Sequence, residues 1–556
     1  MYRQSALQHF SNSKPTMHRC LCIPEILFTI FSFVFNSKIV DLVNPGVKID
    51  FNFYSLPGLL PSLPSVDSPS LLHLAVTCRA FCGPALDILY SHLKDIRPVI
   101  KSLPQELVLR PWVHCTSQSL FTLICHPARI KILDSFLEYD HPAYPAILAN
   151  APKNAPLFPN LRSLTWRNCQ LNSIPALSLL LPTVENLSLT MSTSFGEAVI
   201  PGLCAAAPRL KALELRGKLI TLDDPCNIDS LIRSYDPEGL TQLALRCCNI
   251  SSNLLHVIAR WPCLYRLTLR LGLDSIPTIP VERVPQPFSP LMDLHISCKD
   301  LGLVKSFLCA CRMIGVHSDG KIYSLACTNL HRIHITAARC STASIWSELL
   351  SIAIHATLED MIFAEKCDSI CLTHSSIEFH SLLKHPTSLA KLKTLVLSPG
   401  PALSIVLTDS DILALAYTCP HLNFLDLGVR NTPVSLYSLD TFVRRCRELL
   451  QVSICVDAGL DSLGATPSTH RNNVGLPPNT RLVKLEVGES PIGCLESSDP
   501  PMAPDLVMSI PRFLHEMAPF LRGITERPPG VWYIEGAIHP WENVSYVLEA
   551  MVTGDI

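Results

Sequence analysis

Cysteine pairs spaced Cys-x-x-Cys are absent from this chain, and so are His-Glu-x-x-His, Gly-x-Ser-x-Gly and any glycine-rich phosphate loop. With them go the signatures of a zinc ribbon, a zinc protease, a serine-hydrolase elbow and a nucleotide-binding loop. No Cys–His nucleophile pair stands out either. The chain therefore reads as non-catalytic, with no metal and no cofactor. Like charges never run to five in a row, and 45 basic against 47 acidic residues give a formal charge of -2. Nucleic-acid binding needs a basic stripe to displace counterions from phosphates, so no nucleic-acid partner is expected. The apolar run at 26–35 falls short of the roughly 20 residues that span a bilayer, so no membrane partner is expected.

What is there is apolar. Of 556 residues, 48% are hydrophobic and 17% charged, a composition that builds cores rather than disordered chain. Cysteine is abundant, at 23, and many copies sit in apolar helices or at strand ends, among them Cys204, Cys309, Cys311, Cys419 and Cys446. There a free thiol behaves as a small buried hydrophobe. Cys20-Leu21-Cys22 and Cys309-Ala310-Cys311 are too closely spaced for a zinc finger. A reducing compartment, cytoplasmic and/or nuclear, is expected. Secretion is an alternative, because residues 26–35 follow Lys14 and Arg19 and sequons stand at Asn186, Asn249 and Asn543. Against it, Pro24-Glu25 opens the apolar run and no small-x-small cleavage site follows.

Twelve times the chain repeats apolar-x-x-apolar-x-apolar: at Leu161, Val184, Leu210, Leu240, Leu264, Leu291, Leu330, Leu358, Leu392, Leu422, Leu449 and Leu482. The starts lie 23 to 39 residues apart, room for one strand, one helix and two loops. This is the strand phrase of leucine-rich repeats, and the expected fold is α/β: a solenoid with a curved parallel sheet and helices on the convex side. Amphipathic stretches at 251–260, 341–355, 409–418 and 435–445 supply the helices, each opened by a capping residue type. Cys169 and Cys248 alone occupy the turn position where regular repeats carry Asn or Cys, so uneven curvature is expected. A helix near Val507 to Met517, a degenerate phrase at Leu521 and Ile524, and a stretch with Trp532 and Trp541 would cap the array.

Ahead of the repeats, residues 1–16 are polar and expected to be a disordered leader. Pro24 and Glu25 suit the first turn of a helix with Ile26, Leu27, Ile30, Phe31 and Val34 on one face. Residues 35–69 are proline-rich and irregular. Ser68-Pro69 then opens a helix through Leu71, Leu74, Ala75 and Cys78 that should stop at Gly83, and Pro84 should start a third with Leu86, Leu89 and Leu93. The resulting division is 17–103 a helical module with an insertion at 35–69, 104–157 transitional, 158–487 repeats, and 488–556 last repeat and cap. The transitional part carries a predicted strand around Phe121 to Ile124 and a predicted helix from Pro127 to Tyr139.

Cys22-Ile23-Pro24-Glu25-Ile26-Leu27 with Ile30-Phe31, and then Leu71, Leu74, Ala75, Cys78-Arg79 and Phe81, resemble the two halves of an F-box. With the repeats that follow, the chain resembles fungal F-box proteins with irregular leucine-rich repeats, which often begin Met-His-Arg-Cys as residues 17–20 do. It departs from them at 35–69, where the two halves are usually only a few residues apart. The resemblance implies a substrate-recognition subunit of a cullin-RING ubiquitin ligase: the F-box docks on a Skp-type adaptor and the repeats hold a protein substrate. On that analogy Pro24, Ile26, Leu27, Ile30, Phe31, Leu74 and Phe81 are the adaptor-facing or adaptor-supporting positions. A repeat scaffold without ligase function is the second reading, and a secreted repeat protein the third.

The residue between the second and third apolar positions should point away from the helices, onto the solenoid's concave ligand face. That row and its neighbours include Arg266, His295, Arg332, His334, Asp360, Phe424, Asp426, Lys484 and Glu486, the candidate substrate-binding residues. The mixture favours a protein or peptide over a polyanion, with each residue expected to be solvated. His331 and His334 form His-x-x-His, but an i, i+3 pair on a strand points to opposite faces and cannot share a metal.

Overall fold

A computed structural model describes residues 26, 27, 29, 68–95 except 78, 97, 127–134, 156–167, 174–190, 202–217, 232–235, 238–246, 252–272, 288–310, 314–316, 322–325, 329–353, 357–367, 375–380, 389–428, 430–459, 476–488, 490, 504–525 and 540–553. Outside them lie several expectations of the sequence: the leader, Pro24, Ile30 and Phe31, the strand at 121–124, the turn cysteines Cys169 and Cys248, and Trp532. The chain forms two compact units, one running through Phe195 with Ala205–Leu210, the other mainly Lys211–Ile556.

In the first unit, β1 (His92–Leu93), β2 (Ile132–Leu133), β3 (Ser163–Trp166) and β4 (Asn186–Thr190) pair in chain order, all parallel. The ladder thus begins two strands before the first full phrase. Pro127 opens a single 3-10 turn, Pro127–Arg129, and strand β2 follows where the sequence predicts helix to Tyr139. The reason is visible in Ile130 and Leu133: both are buried, a partial copy of the strand phrase, and edge pairing with β1 and β3 outweighs the helical period.

Two helices, Ser68–Thr77 and Arg79–Ser91, precede β1. The second starts earlier than predicted and runs through Gly83 and Pro84. A residue before proline usually avoids helical geometry because its Cβ meets the proline ring; Gly83 has no Cβ, so the helix continues. Leu93, expected on that helix, is instead in β1. Leu27, Leu71, Ala75, Ala85 and Ile88 form one buried cluster, with Leu74, Phe81, Leu86 and Leu89 packed against it. Each fully buried Leu or Ile here is worth about 1.5–3 kcal/mol relative to exposure.

In the second unit, β5 (Ala212–Arg216), β6 (Gln242–Leu245), β7 (Arg266–Leu271), β8 (Asp293–Cys298), β11 (Arg332–Ala337), β12 (Asp360–Glu365), β14 (Thr394–Ser398), β16 (Phe424–Asp426), β18 (Gln451–Ser453), β20 (Lys484–Glu486) and β21 (Gly523–Thr525) follow one another as neighbours, all parallel. Their register is in phase. Leu267 faces Leu294, Leu294 faces Ile333, Ile333 faces Met361, and the second apolar position stays aligned to Leu485 and Ile524. The longest spacing, Leu291 to Leu330, contains an antiparallel hairpin of β9 (Ile314–Val316) and β10 (Ile322–Leu325) outside this ladder and leaves its register unchanged. Two smaller parallel pairs, β13 (Ser375–Glu378) with β15 (Leu403–Val406) and β17 (Val434–Ser435) with β19 (Val456–Asp457), also stand outside it.

All three apolar positions of all twelve phrases are buried. They meet the helices: Trp346 of the Ala343–Ala353 helix packs edge-on against Phe363 of β12, 6.2 Å between ring centroids. The predicted helices at 251–260, 341–355, 409–418 and 435–445 appear as Ser252–Ile258, Ala343–Ala353, Asp409–Thr418 and Leu436–Arg445. Thr408 caps the third through a reciprocal box with Asp411, and the Ser435 hydroxyl accepts from the Ser438 N–H to cap the fourth. At their other ends Cys419 and Cys446 are buried C-caps, and the Cys446 thiol donates to the Cys419 carbonyl. Burial pushes the Cys419 thiol up to about 12, and that of Cys446 up as well. These thiols pack rather than react.

The Pro504–Met517 and Pro540–Thr553 helices pack on one another, and the second also packs on β21. Trp541 is buried, and its indole N–H donates to the Ser490 carbonyl at 3.1 Å. Val544 and Leu548 complete this cap. No helix among the described residues is long and apolar enough to cross a membrane.

Candidate functional site on the open face of the strands

Side chains alternate along a strand, so the residues flanking the second and third apolar positions share the face turned away from the helices. In-phase register then lines them up in rows. One row reads Arg266, Asp293, Arg332, Asp360, Thr394, Phe424, Gln451, Lys484; the next reads Glu214, Ala244, Thr268, His295, His334, Ile362, Val396, Asp426, Ser453, Glu486. All nine candidate residues therefore lie on one face of the second unit. Arg266, His295, Arg332, His334 and Asp360 come together on four adjacent strands, Phe424 and Asp426 share β16, and Lys484 and Glu486 share β20.

The second row is not solvated as the sequence predicts. Ser188 in the first unit and Glu214, Ala244, Thr268, His295, His334, Val396, Asp426, Ser453 and Glu486 in the second are buried, while Thr165 and Ile362 are half-buried. Neighbouring strands are only about 4.8 Å apart, so each side chain covers the next. Phe424 is buried too; Arg266, Asp360 and Lys484 are half-buried and Arg332 is exposed.

Across β7, β8, β11 and β12 the first row alternates in charge. Arg266 Nη2 lies 2.7 Å from Asp293 Oδ2, Arg332 Nη1 lies 3.6 Å from the same oxygen, and Arg332 Nε lies 3.1 Å from Asp360 Oδ2. Opposite charges on directly facing residues stabilise a sheet, where like charges would oppose pairing. Beside them Glu214 sits between two guanidiniums, its Oε1 2.8 Å from Arg216 Nε and 3.0 Å from Arg246 Nε. Arg216 Nη2 also donates to Glu214 Oε2 at 3.0 Å. Those Nε groups are close to Oε1 but poorly aligned for a directed hydrogen bond, so charge rather than geometry holds them.

His295 and His334 occupy facing register positions, ring centroids 5.3 Å apart and edge-on. They are 8% and 4% exposed. Nδ1 of His295 and Nε2 of His334 are buried without a hydrogen-bond partner. Burial, and then Arg266, Arg246 and Arg332, push His295 down to about 4. Burial, then His295, Lys366 and Arg246, push His334 down to about 3. Both imidazoles are accordingly neutral near pH 7. His331 takes a different partner, the Asn329 carbonyl, so the His-x-x-His pair is split as its spacing predicts.

Arg246, Asp293 and Lys366 join this centre although the sequence reading passed over them. Asp293 and Arg246 were legible from the two-residue alternation extended one step beyond the phrase on either side. Lys366 follows β12 and carries no such signal. Among the described residues no group of three or more His, Cys, Asp or Glu side chains is placed to hold a metal ion.

Behind the face, Glu365 ties three repeats together. Its carboxylate accepts from the Ser341 N–H and from the Gly400 N–H, each at 2.8 Å. Burial raises its pKa, and these hydrogen bonds oppose the rise. Gly400 has no room for a side chain, since a Cβ there would lie 2.5 Å from Cys340 Sγ and 3.1 Å from Glu365 Oε2.

Of the adaptor-facing candidates, Ile26, Leu27, Leu74 and Phe81 are described. Leu27 is core, Leu74 and Phe81 pack against that core, and Ile26 is exposed. Leu72 and Val76, one helical turn apart, are exposed large apolar residues on the Ser68–Thr77 helix. The sequence reading missed them, and the signal was a helix with apolar residues outside its core stripe.

No family model matches this chain, and no curated protein matches it. Among solved structures, the complex of Rad7 and Elc1 from yeast is similar at 15% identity and a TM-score of 0.36, covering 79% of this chain and 97% of that one.

Proposed function

We propose that this chain is a substrate receptor of a cullin-RING ubiquitin ligase, in the cytoplasm and/or nucleus, without chemistry of its own. A helical module docks on a Skp-type adaptor, and the repeats hold a protein substrate. One observation carries the reading: Leu27, from the first half of the F-box-like phrase, is buried in the same cluster as Leu71, Ala75, Ala85 and Ile88 from the second. The two halves therefore share one core. The cluster leaves Ile26, Leu72 and Val76 exposed, an apolar surface that a helix-binding groove would cover.

The test is capture of a Skp-type adaptor by the full chain, with Leu72→Asp and Val76→Asp as variants. Both side chains are exposed, so folding should be retained, whereas Leu27→Asp would bury a charge. Loss of capture by at least about tenfold, or about 1.4 kcal/mol, is expected; capture undiminished in both variants would refute the assignment.

A further inference from the structure

We infer that the open face of β5 to β12 is a binding site for an acidic peptide segment, whose carboxylates seat beside His295 and His334. The inference rests on the reading of the repeats as a partner-binding surface. Three observations lead to it.

The first is charge. The open-face positions of these six strands carry Arg216, Arg246, Arg266, Arg270 and Arg332 against Glu214, Asp293 and Asp360. Cations remain in excess after every carboxylate is satisfied, and Lys366 adds another beside His334. Arg270, Arg332 and Lys366 are exposed. A planar guanidinium suits a carboxylate through paired N–H donors.

The second is the histidine pair. Two imidazoles more than nine-tenths buried, each with an unpartnered ring nitrogen, stand in the row between these arginines. Buried polar atoms are normally satisfied, and those that are not mark places where a partner is missing. A carboxylate nearby would offset the cations that, after burial, hold both rings neutral and would let an imidazole donate to it.

The third is extent. Six strands span roughly 24 Å, about seven residues of extended peptide. Beyond β12 the same rows carry Thr394, Val396, Phe424, Asp426, Gln451, Ser453 and Glu486, and their cation, Lys484, is already paired with Glu486. A long polyanion such as a nucleic acid would have to cross Asp426 and Glu486. A short acidic segment with neutral flanks does not.

The experiment measures fluorescence anisotropy of labelled octaglutamate on the full chain, with octalysine and a thymidine oligonucleotide as comparisons. Octaglutamate should bind, octalysine should not, and binding should weaken as salt screens the site. Arg266→Gln combined with Arg332→Gln should weaken it roughly tenfold or more. Arg270→Gln, at an exposed position, should weaken it by a smaller factor and guards against a folding artefact in the double variant. No octaglutamate binding, binding unchanged in both variants, or tighter binding of the oligonucleotide would each overturn the inference. Adaptor capture by the same proteins separates the two proposals. Capture without peptide binding removes only the acidic-peptide site, and peptide binding without capture removes only the ligase reading.

Discussion

Strands β7, β8, β11 and β12 run for six residues each; β16, β18 and β20 run for three. The long strands continue past the third apolar position with Arg270, Ser297, Thr336 and Ala364. Two of the short ones reach Gly428 and Gly488 there, in the left-handed region at φ of 75° and 53°, and the backbone turns off. Polar side chains follow suit. On the long strands they bond sideways, from Arg266 to Asp293 to Arg332 to Asp360, and leave a cationic surplus. On the short ones they close on themselves. Asp426 accepts from the Gly428 N–H at 2.8 Å, and Glu486 takes both Gln451 and Lys484. One ladder thus has a region whose polar groups still seek a partner and a region whose polar groups, the buried Ser453 hydroxyl excepted, are spent on the fold.

That contrast can be broken at its ends. The largest effect is expected in the self-satisfied region, at Asn479. Its amide N–H groups donate to the Val443 and Cys446 carbonyls, and its oxygen accepts from the Arg481 and Leu482 N–H groups, all four within 3.0 Å. Asn479→Ala strands these groups in a buried site and should cost on the order of 4 kcal/mol in denaturant unfolding. A loss within experimental error would mean that the region's closure contributes nothing.

A smaller effect is expected at His295 and His334. Their folded values, about 4 and about 3, lie below the ordinary 6.5. The unfolded chain therefore binds protons first as pH falls. Stability is full above about 6.5 and declines toward 4 for His295 and toward 3 for His334, by at most about 1.4 kcal/mol per pH unit for each ring. By pH 5 each ring should cost roughly 2 kcal/mol, and His334→Leu should flatten the slope between pH 7 and 5. An unchanged slope would place the rings in water.

Smallest is Arg332→Gln. The side chain is 49% exposed, and removing one exposed partner of an ion pair should change stability by no more than about 1 kcal/mol. A thermal melt that matches the parent chain while acidic-peptide binding falls would sharpen the division between the two regions. A melt strongly lowered would erase it.

The strands were readable because a leucine at every second position of a strand has one way to be buried, and Leu294, Ile333 and Met361 took it. Ser435 was readable as a cap for an equally local reason, a hydroxyl three residues ahead of a free N–H, whereas Asp409, expected to open its helix, lies one residue inside the helix that Thr408 caps. Signals that depend on context misled. Gly83-Pro84 reads as a break, yet the cluster around Leu71 and Ile88 carries the helix through it. Pro127 reads as a helix start, yet neighbouring strands recruit Ile132 and Leu133. For the site, alternation told which side His295 and His334 face. It could not tell that Arg246 and Lys366 approach them, nor that facing neighbours bury them, because both depend on distances between strands rather than along one.

The hairpin at 314–325 bears on how such a chain tolerates change. It sits inside the longest interval between strand phrases, and yet Leu294 still meets Ile333 and His295 still meets His334. Each strand is locked to its predecessor by contact, with no memory of how many residues came between. Errors of length are thereby erased at every step instead of accumulating along the array. Segments can be inserted or trimmed on the far side while the pattern of charges on the near side keeps its alignment, so length and recognition are free to vary independently.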